Sequence, residues 1–494
     1  MTKLLVGFHR WVSIALCLMF SAWFASGIVM IYVPFPSLSD GERIGRSEFV
    51  DISDITSLSE SFEATGINIA SRIRLLPYQD RPVLVVEGDS SKVVAVFADS
   101  SELVPELTAE DSRQIAEKFS NSPIISVSDR IMYDQWVVHD RFDPYRPFFR
   151  VDLDDEALTH LYVSTKTTEV LQKTNRQQRV WNYFGAVIHW IYPTVIRKDW
   201  ALWDQLVWWV SLFGILGVVA GIILGLKHSV TRWKRGSPVL SSPFRGWLAW
   251  HHKIGVIFGV FVLLWIFSGW LSMDHGRLFS TPNPTFNQET NLRGIRLSTA
   301  LSQVSQQDLN EFSNVREFEI SALAGQAMLI AKNGQASELL MIEADLIPDQ
   351  DFLISVAQTA VSNAWPSVAI RDKYMVAEDD MYGRLREGSL PEKTLRIALD
   401  DVDRTWVHVD LNEGRIISVI DRSRRLYRWL FNGIHSLDLP GLADTRPLWD
   451  ILIVFFMFVG FAFSSTGLVI ACTRLGRVFN YKGRLSGKVR HLDA

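Results

Sequence analysis

The sequence predicts a membrane α-helical protein with four transmembrane helices, internally duplicated, and with α+β extracytoplasmic domains. Three observations predict this. Four apolar runs are long enough to cross a bilayer, two long polar stretches separate them in the pattern run–stretch–run, and the second half of the chain repeats the first.

The four runs are roughly Trp11 to Val33, Leu206 to Leu226, Ile254 to Met273 and Leu448 to Cys472, each about the 20 residues that a spanning helix needs. Composition agrees: hydrophobic residues make up 48% and charged residues 21%, with 18 Trp and 29 Phe available for interfacial belts and apolar spans. A net charge of -4 points to no nucleic-acid partner. The two cysteines, Cys17 and Cys472, lie in apolar runs, and no Cys-x-x-Cys-His occurs. That excludes a disulfide framework, a Cys-rich metal site and the usual covalent haem attachment.

Cationic residues orient the spans. Lys227, Arg232, Lys234, Arg235 and Arg245 follow the second run, and Arg474, Arg477, Lys482, Arg484, Lys488 and Arg490 follow the fourth. Both clusters are expected in the cytoplasm, which places both termini there and the long segments outside. The first run has the basic start of a signal peptide, but it is long for one, and the repeat pairs it with an internal span.

The repeat is read by superposing the halves. At an offset of 242, His9 falls on His251, Trp23 on Trp265, Ser26 on Ser268 and Gly27 on Gly269. Further on the offset is 246. Arg150 falls on Arg396, Asp154-Asp155 on Asp400-Asp401, His189 on His435, Trp203-Asp204 on Trp449-Asp450, Gly214 on Gly460 and Gly221 on Gly467. Two spans per half give a parallel repeat about an axis along the membrane normal. The expected divisions are 1–33 first helix, 34–178 extracytoplasmic region, 179–228 amphipathic segment with second helix, and 229–250 basic cytoplasmic loop. They continue as 251–273 third helix, 274–424 extracytoplasmic region, 425–472 amphipathic segment with fourth helix, and 473–494 basic tail.

Within the external regions, 57–66 reads as a short helix, 82–88 and 92–99 as strands, 108–119 as a helix opened by a Thr cap, and 147–171 as paired strands. The counterparts in the second half are 338–345, 351–365 and 393–420. The Asp pairs 154/155 and 400/401 read as acidic hairpin turns in preference to acid–base groups. The stretch 133–150, rich in Trp, Tyr, His and Arg, reads as a packed surface loop or a site for an aromatic anion. No hydrolase, zinc-protease or phosphate-loop motif occurs, so no catalytic residue is assigned.

The histidines carry the functional signal, because ionisable groups at membrane spans are costly. His9 heads a helix face running through Ser13, Phe20, Trp23 and Gly27, and His251 heads the matching face through Gly255, Val262, Trp265 and Gly269. His189 and His435 each lie 14 residues before a Trp-Asp that opens a span. The symmetry therefore predicts two histidine pairs, one near each membrane face. They serve as metal or haem ligands, or as symmetric structural hydrogen bonders. Opposed neutral imidazoles suit a low-spin haem iron. His252 points away from His251, and His228 and His275 lie at span ends. These three are reserve ligands or haem-propionate partners.

The span starts "FHRWVSI" and "WHHKIGV", the "IHW" and "IHS" segments and the α/β regions between spans resemble PepSY-associated transmembrane proteins over nearly the whole chain. That family includes ferric-siderophore reductases of the bacterial inner membrane. The resemblance implies PepSY-like external domains, two b-type haems and electron transfer to a periplasmic ferric siderophore or similar acceptor, which releases ferrous iron. The repeat symmetry, not a matched family signature, assigns the haem irons: His9 with His251 for the inner haem and His189 with His435 for the outer, with Trp23 and Trp265 packed beside the macrocycles. The short cytoplasmic segments leave the electron donor to a separate cytoplasmic protein or a membrane quinol. Membrane lipid is the remaining partner. The family's other implied activity is non-enzymatic: binding or regulating a periplasmic partner such as a protease.

Overall fold

The computed structural model describes residues 2–88, 91–234, 238, 241–280, 284–342, 348–385 and 388–489. It divides into a helical unit (1–35, 180–278 and 427–494) and an α+β unit (36–179 and 279–426).

In the helical unit, four helices are long and apolar enough to cross a membrane: Thr2–Tyr32, Trp200–Trp233, Trp247–Leu271 and Leu448–Val489. Helix is the form that satisfies every backbone group without water. The first helix packs on the fourth and the second on the third, and contacts between first and second and between third and fourth close the bundle. Leu18, Phe213, Ile257 and Phe458 are exposed, whereas Ser21, Ser26, Ser211, Ser268, Ser464 and Thr466 are buried. Apolar residues outside and small polar residues between helices are the pattern of a bundle set in lipid.

Three expected boundaries move, the third helix starting at Trp247 inside the expected loop. The second helix continues to Trp233, and the fourth to Val489. The basic loop and tail are thus partly helical, because a helix need not stop where the apolar run stops. Arg235 and Arg490 lie outside the described residues. So do residues 343–345 of the strand expected at 338–345.

The amphipathic segments break into short pieces. Arg176–Phe184, Ala186–His189 and Thr194–Arg197 precede the second span. Arg422–Arg428 and a π-helical turn, Trp429–Gly433, precede the fourth. The π turn stands immediately before Ile434-His435, and such turns are frequent at functional sites.

The α+β unit holds β1 (Ala70–Tyr78), β2 (Arg81–Gly88), β3 (Val93–Phe97), β4 (Ile124–Val127), β5 (Phe148–Leu153), β6 (His160–Ser164) and β7 (Val170–Thr174). These are followed by β8 (Glu317–Leu323), β9 (Gln326–Asn333), β10 (Ala336–Met341), β11 (Ile370–Met375), β12 (Arg384–Leu385) and β13 (Gly388–Ser389). The last three are β14 (Thr394–Leu399), β15 (Trp406–Asp410) and β16 (Arg415–Ile420). One sheet runs β10-β9-β8-β1-β2-β3, a palindrome about the antiparallel pair β1–β8. Two further sheets, β4-β5-β6-β7 and β11-β14-β15-β16, have the same order as each other.

One apolar core joins Leu58, Phe62, Ile73 and Leu75 to Leu301, Leu309, Phe318 and Leu329. Beside the β1–β8 pair runs a buried ion network. Arg74 reaches both oxygens of Glu169 at 2.7 and 3.0 Å, Arg43 reaches Glu169 at 2.6 Å and Glu317 at 2.8 Å, and Arg72 reaches Glu319 at 2.8 Å. Burial raises the Glu169 carboxyl, but Arg74 and Arg43 outweigh it and hold it below the ordinary carboxylate range.

The helix expected at 108–119 forms as Ala109–Ser120, with a reciprocal cap between Thr108 and Asp111. The acidic pairs are turn clamps. Asp155 accepts from Thr159 N at 2.7 Å and Oγ1 at 2.6 Å, and Asp401 does the same with Thr405 at 2.7 and 2.6 Å. In the stretch 133–150, Trp136, Val137, Val138 and Phe142 are buried, which is a packed loop.

Candidate metal centres in the helical bundle

The helical unit brings the four predicted histidines together as two pairs. The His9 and His251 rings stand 6.4 Å apart, centroid to centroid, with an interplanar angle of 41°. The His189 and His435 rings stand 6.1 Å apart at 72°. Metal–imidazole bonds of about 2.0–2.1 Å and a ring radius of about 1.1 Å put two imidazoles on one ion about 6 to 6.5 Å apart. Both spacings fit a single ion between the rings.

Each ring is held through Nδ1. His9 Nδ1 lies 2.8 Å from the Gly217 carbonyl. His251 Nδ1 lies 2.9 Å from Thr466 Oγ1. His189 Nδ1 lies 3.1 Å from both the Trp23 carbonyl and Ser26 Oγ, and His435 Nδ1 lies 3.0 Å from Ser268 Oγ. A carbonyl acceptor fixes the Nδ1–H tautomer for His9 and His189, which frees Nε2 as a ligand atom. This is the support that metal-bound histidines ordinarily have.

A glycine lies against each ring. A Cβ at Gly221 would stand 2.6 Å from His9 Cε1, at Gly27 3.4 Å from His189, at Gly269 3.3 Å from His435 and at Gly467 3.5 Å from His251. Tryptophans fix the outer backbone. Trp265 Nε1 donates to the His435 carbonyl at 2.6 Å, and Trp203 and Trp449 donate to the Trp190 and Ser436 carbonyls at 2.8 and 3.0 Å. Phenylalanines stack on the second-half rings, Phe463 on His251 at 4.6 Å and Phe431 on His435 at 5.3 Å.

Seventeen residues separate His9 from Ser26, and His251 from Ser268. That is about 25 Å of helix at 1.5 Å per residue, close to the thickness of a hydrocarbon core of about 30 Å. Phe24, Phe261, Trp265 and Phe456 fill the bundle between, with Trp265 in edge contact with Phe24 at 5.9 Å and Phe261 at 4.3 Å.

A cavity of about 400 Å³ adjoins the first pair, within the range of cofactor sites. Besides His9 and His251 it is lined by Arg10, Arg474, His228 and His252. Of the reserve residues, His228 and His252 face each other at 6.4 Å, with Phe244 against both. His275 is bonded to Asp204 at 2.6 Å. Trp23 contributes its carbonyl to His189, and its ring stacks on Phe20 at 5.8 Å.

Sequence reasoning assigned no role toward the histidines to Gly217, Gly221, Gly467, Ser26, Ser268 or Thr466. Four of these six had a signal, since Ser26/Ser268 and Gly221/Gly467 are repeat-matched positions. Gly217 and Thr466 had none. No group of three or more His, Cys, Asp or Glu suited to a metal occurs among the described residues. Two protein ligands per ion suffice where a macrocycle supplies the others. No family model matches the chain, and no curated protein matches it.

Proposed function

We propose that this protein is a duplicated, four-span reductase of the bacterial inner membrane. It would hold one b-type haem between His9 and His251 and another between His189 and His435, and pass electrons to a periplasmic ferric chelate such as a ferric siderophore. The observation that carries the reading is the pairing itself. Four histidines on separate segments meet two by two at one-ion spacing, with Nδ1 engaged and a glycine beside each ring. The palindromic sheet and the two sheets of equal order support duplication and a pair of PepSY-like domains. The basic clusters after the second and fourth spans support cytoplasmic termini and an external α+β unit.

The haems supply a one-electron couple. The chain supplies the rest. The histidines would hold the irons, the glycines leave room for the histidine rings, and aromatic side chains fill the bundle between the pairs. Arg10 and Arg474 are the cations at the cavity of the first pair, suited to propionates. A ferric chelate that gains one electron becomes a ferrous one, which such ligands hold weakly.

An absorption spectrum of the purified protein tests this. The expected result is b-type bands that sharpen with dithionite, at two haems per chain. His189→Ala is expected to lose about one haem and His228→Ala to keep both. A well-folded, haem-free protein overturns the reading.

A further inference from the structure

The bundle carries a second cluster, at the Trp-Asp that opens the second span. Asp204 is 4% exposed. Its Oδ2 accepts from His275 Nδ1 at 2.6 Å, and its Oδ1 is buried with no partner. Trp208, one turn along the same helix, has its ring 5.0 Å from His275 and 5.6 Å from Trp270. Trp270 Nε1 is also buried with no partner. One aromatic cluster thus holds an unused acceptor and an unused donor, and buried polar groups are costly to leave in that state.

The repeat shows that the scaffold does not require this. Matched to Asp204 is Asp450, which pairs with Arg446 one turn earlier on a permanent cation. Matched to Trp208, Trp270 and His275 are Val454, Ile28 and Val33. Of the two matched positions, only the cluster built on Asp204 combines a carboxylate, an imidazole and two indoles, drawn from both halves.

We infer that Asp204, His275, Trp208 and Trp270 bind the head group of a membrane hydroquinone, the electron donor of the proposed reductase. A phenolic O–H is the group that answers both orphans, donating to Asp204 Oδ1 and accepting from Trp270 Nε1–H. Its flat ring suits the indole of Trp208. The Asp204 carboxylate repels a phosphate, which sets this site apart from one for a lipid headgroup. Access is at the rim of the cluster, where Trp208, Trp270 and His275 are partly exposed beside the buried Asp204.

Asp204 holds the His275 tautomer with Nδ1–H, which leaves Nε2 turned away from the carboxylate, an arrangement familiar from His–Asp pairs in catalysis. Oxidation breaks both O–H bonds of the hydroquinone and yields the quinone. The proton of the hydroxyl bonded to Asp204 Oδ1 passes to that carboxylate, with part-exposed His275 as its exit toward water, and the proton of the opposite hydroxyl leaves directly to water. The two electrons would leave singly, to a pair of one-electron acceptors such as the haems that His9, His251, His189 and His435 would hold. The path to the nearer site is short. Trp270 follows Gly269, on which the His435 ring packs, and Trp203, before Asp204, is bonded to the residue after His189.

The electron step rests on the di-haem reading; the binding site does not. The test is titration of the full-length protein in nanodiscs with decyl-ubiquinol and decyl-ubiquinone, followed by tryptophan fluorescence and calorimetry. Saturable binding to the wild type is expected. Asp204→Asn is expected to weaken it at least tenfold, Trp270→Phe several-fold, and the matched Asp450→Asn not at all. Binding that is non-saturable, or unchanged in Asp204→Asn and Trp270→Phe, overturns the site. If Asp204→Asn does not fold, Trp270→Phe decides. Sensitive binding in a haem-free protein retains the site and refutes the di-haem reading, whereas b-type bands without binding do the reverse.

Discussion

The two histidine pairs are built differently. In the first pair, His9 and His251 both belong to spanning helices, one turn or two from the helix start. In the second, His189 and His435 both sit on short segments outside the spans, pinned by indole N–H groups. Their supports differ too. The first pair leans on a carbonyl and a threonine hydroxyl, the second on matched serines. The first is asymmetric in its glycine clearances, 2.6 Å against 3.5 Å, and the second nearly even at 3.4 and 3.3 Å. The glycine clearances are therefore even where short segments do the positioning, although only His189 also has a carbonyl at Nδ1. They are uneven where long helices do.

Substitutions test that contrast. On the proposed di-haem reading, the largest effect is expected from His435→Ala, which removes a ligand of one proposed site; the haem count is expected to fall from two to one while the first pair keeps its bands. Gly221→Ala comes next, because a methyl 2.6 Å from His9 Cε1 forces the ring away. Most of the first chromophore is expected to be lost, while Gly467→Ala retains it. Equal retention in the two variants, measured by pyridine haemochrome, would show the asymmetry to be without consequence. Ser268→Ala is milder. It removes one hydrogen bond to His435 and is expected to weaken haem retention about 10- to 100-fold, the usual cost of losing such a support. Ser26→Ala should cost less, since the Trp23 carbonyl still holds His189.

The smallest effect on either pair comes from the α+β unit. There the His408 imidazole is pushed down from 6.5 to about 3, by burial first and by the Arg396 guanidinium next, with Asp380 opposing. The folded unit therefore refuses a proton that the unfolded chain accepts below about 6.5. Stability is full above that pH and falls toward pH 3, on the order of 1 kcal/mol per unit at most. His408→Gln is expected to flatten this slope in denaturation curves and leave the haem bands unchanged.

The spans and the histidine pairing were legible in the sequence for two reasons. Apolar residues run the length of each span, and superposing the two halves sets His9 on His251 and His189 on His435. Matching positions could also flag Ser26 with Ser268. It could not say that their hydroxyls reach Nδ1 of rings 163 and 167 residues away. It was blind where the halves differ. Asp204 looked like half of a shared Trp-Asp mark, and its partner His275 has no counterpart to draw attention to it. The β1–β8 pairing was illegible for another reason, since nothing local in either strand names its neighbour.

That last pairing has a consequence in time. After synthesis of β1, about 240 residues pass before β8 emerges, or roughly ten to fifty seconds at 5–20 residues per second. Throughout, one edge of β1 lacks its neighbour while two spans enter the membrane. A bare edge invites wrong partners, and charge on the strand discourages them. Arg72 and Arg74 stand on this edge. Arg74, which ends up buried beside Glu317, and the half-buried Arg72 beside Glu319 thus put charge on that strand until its own second half arrives.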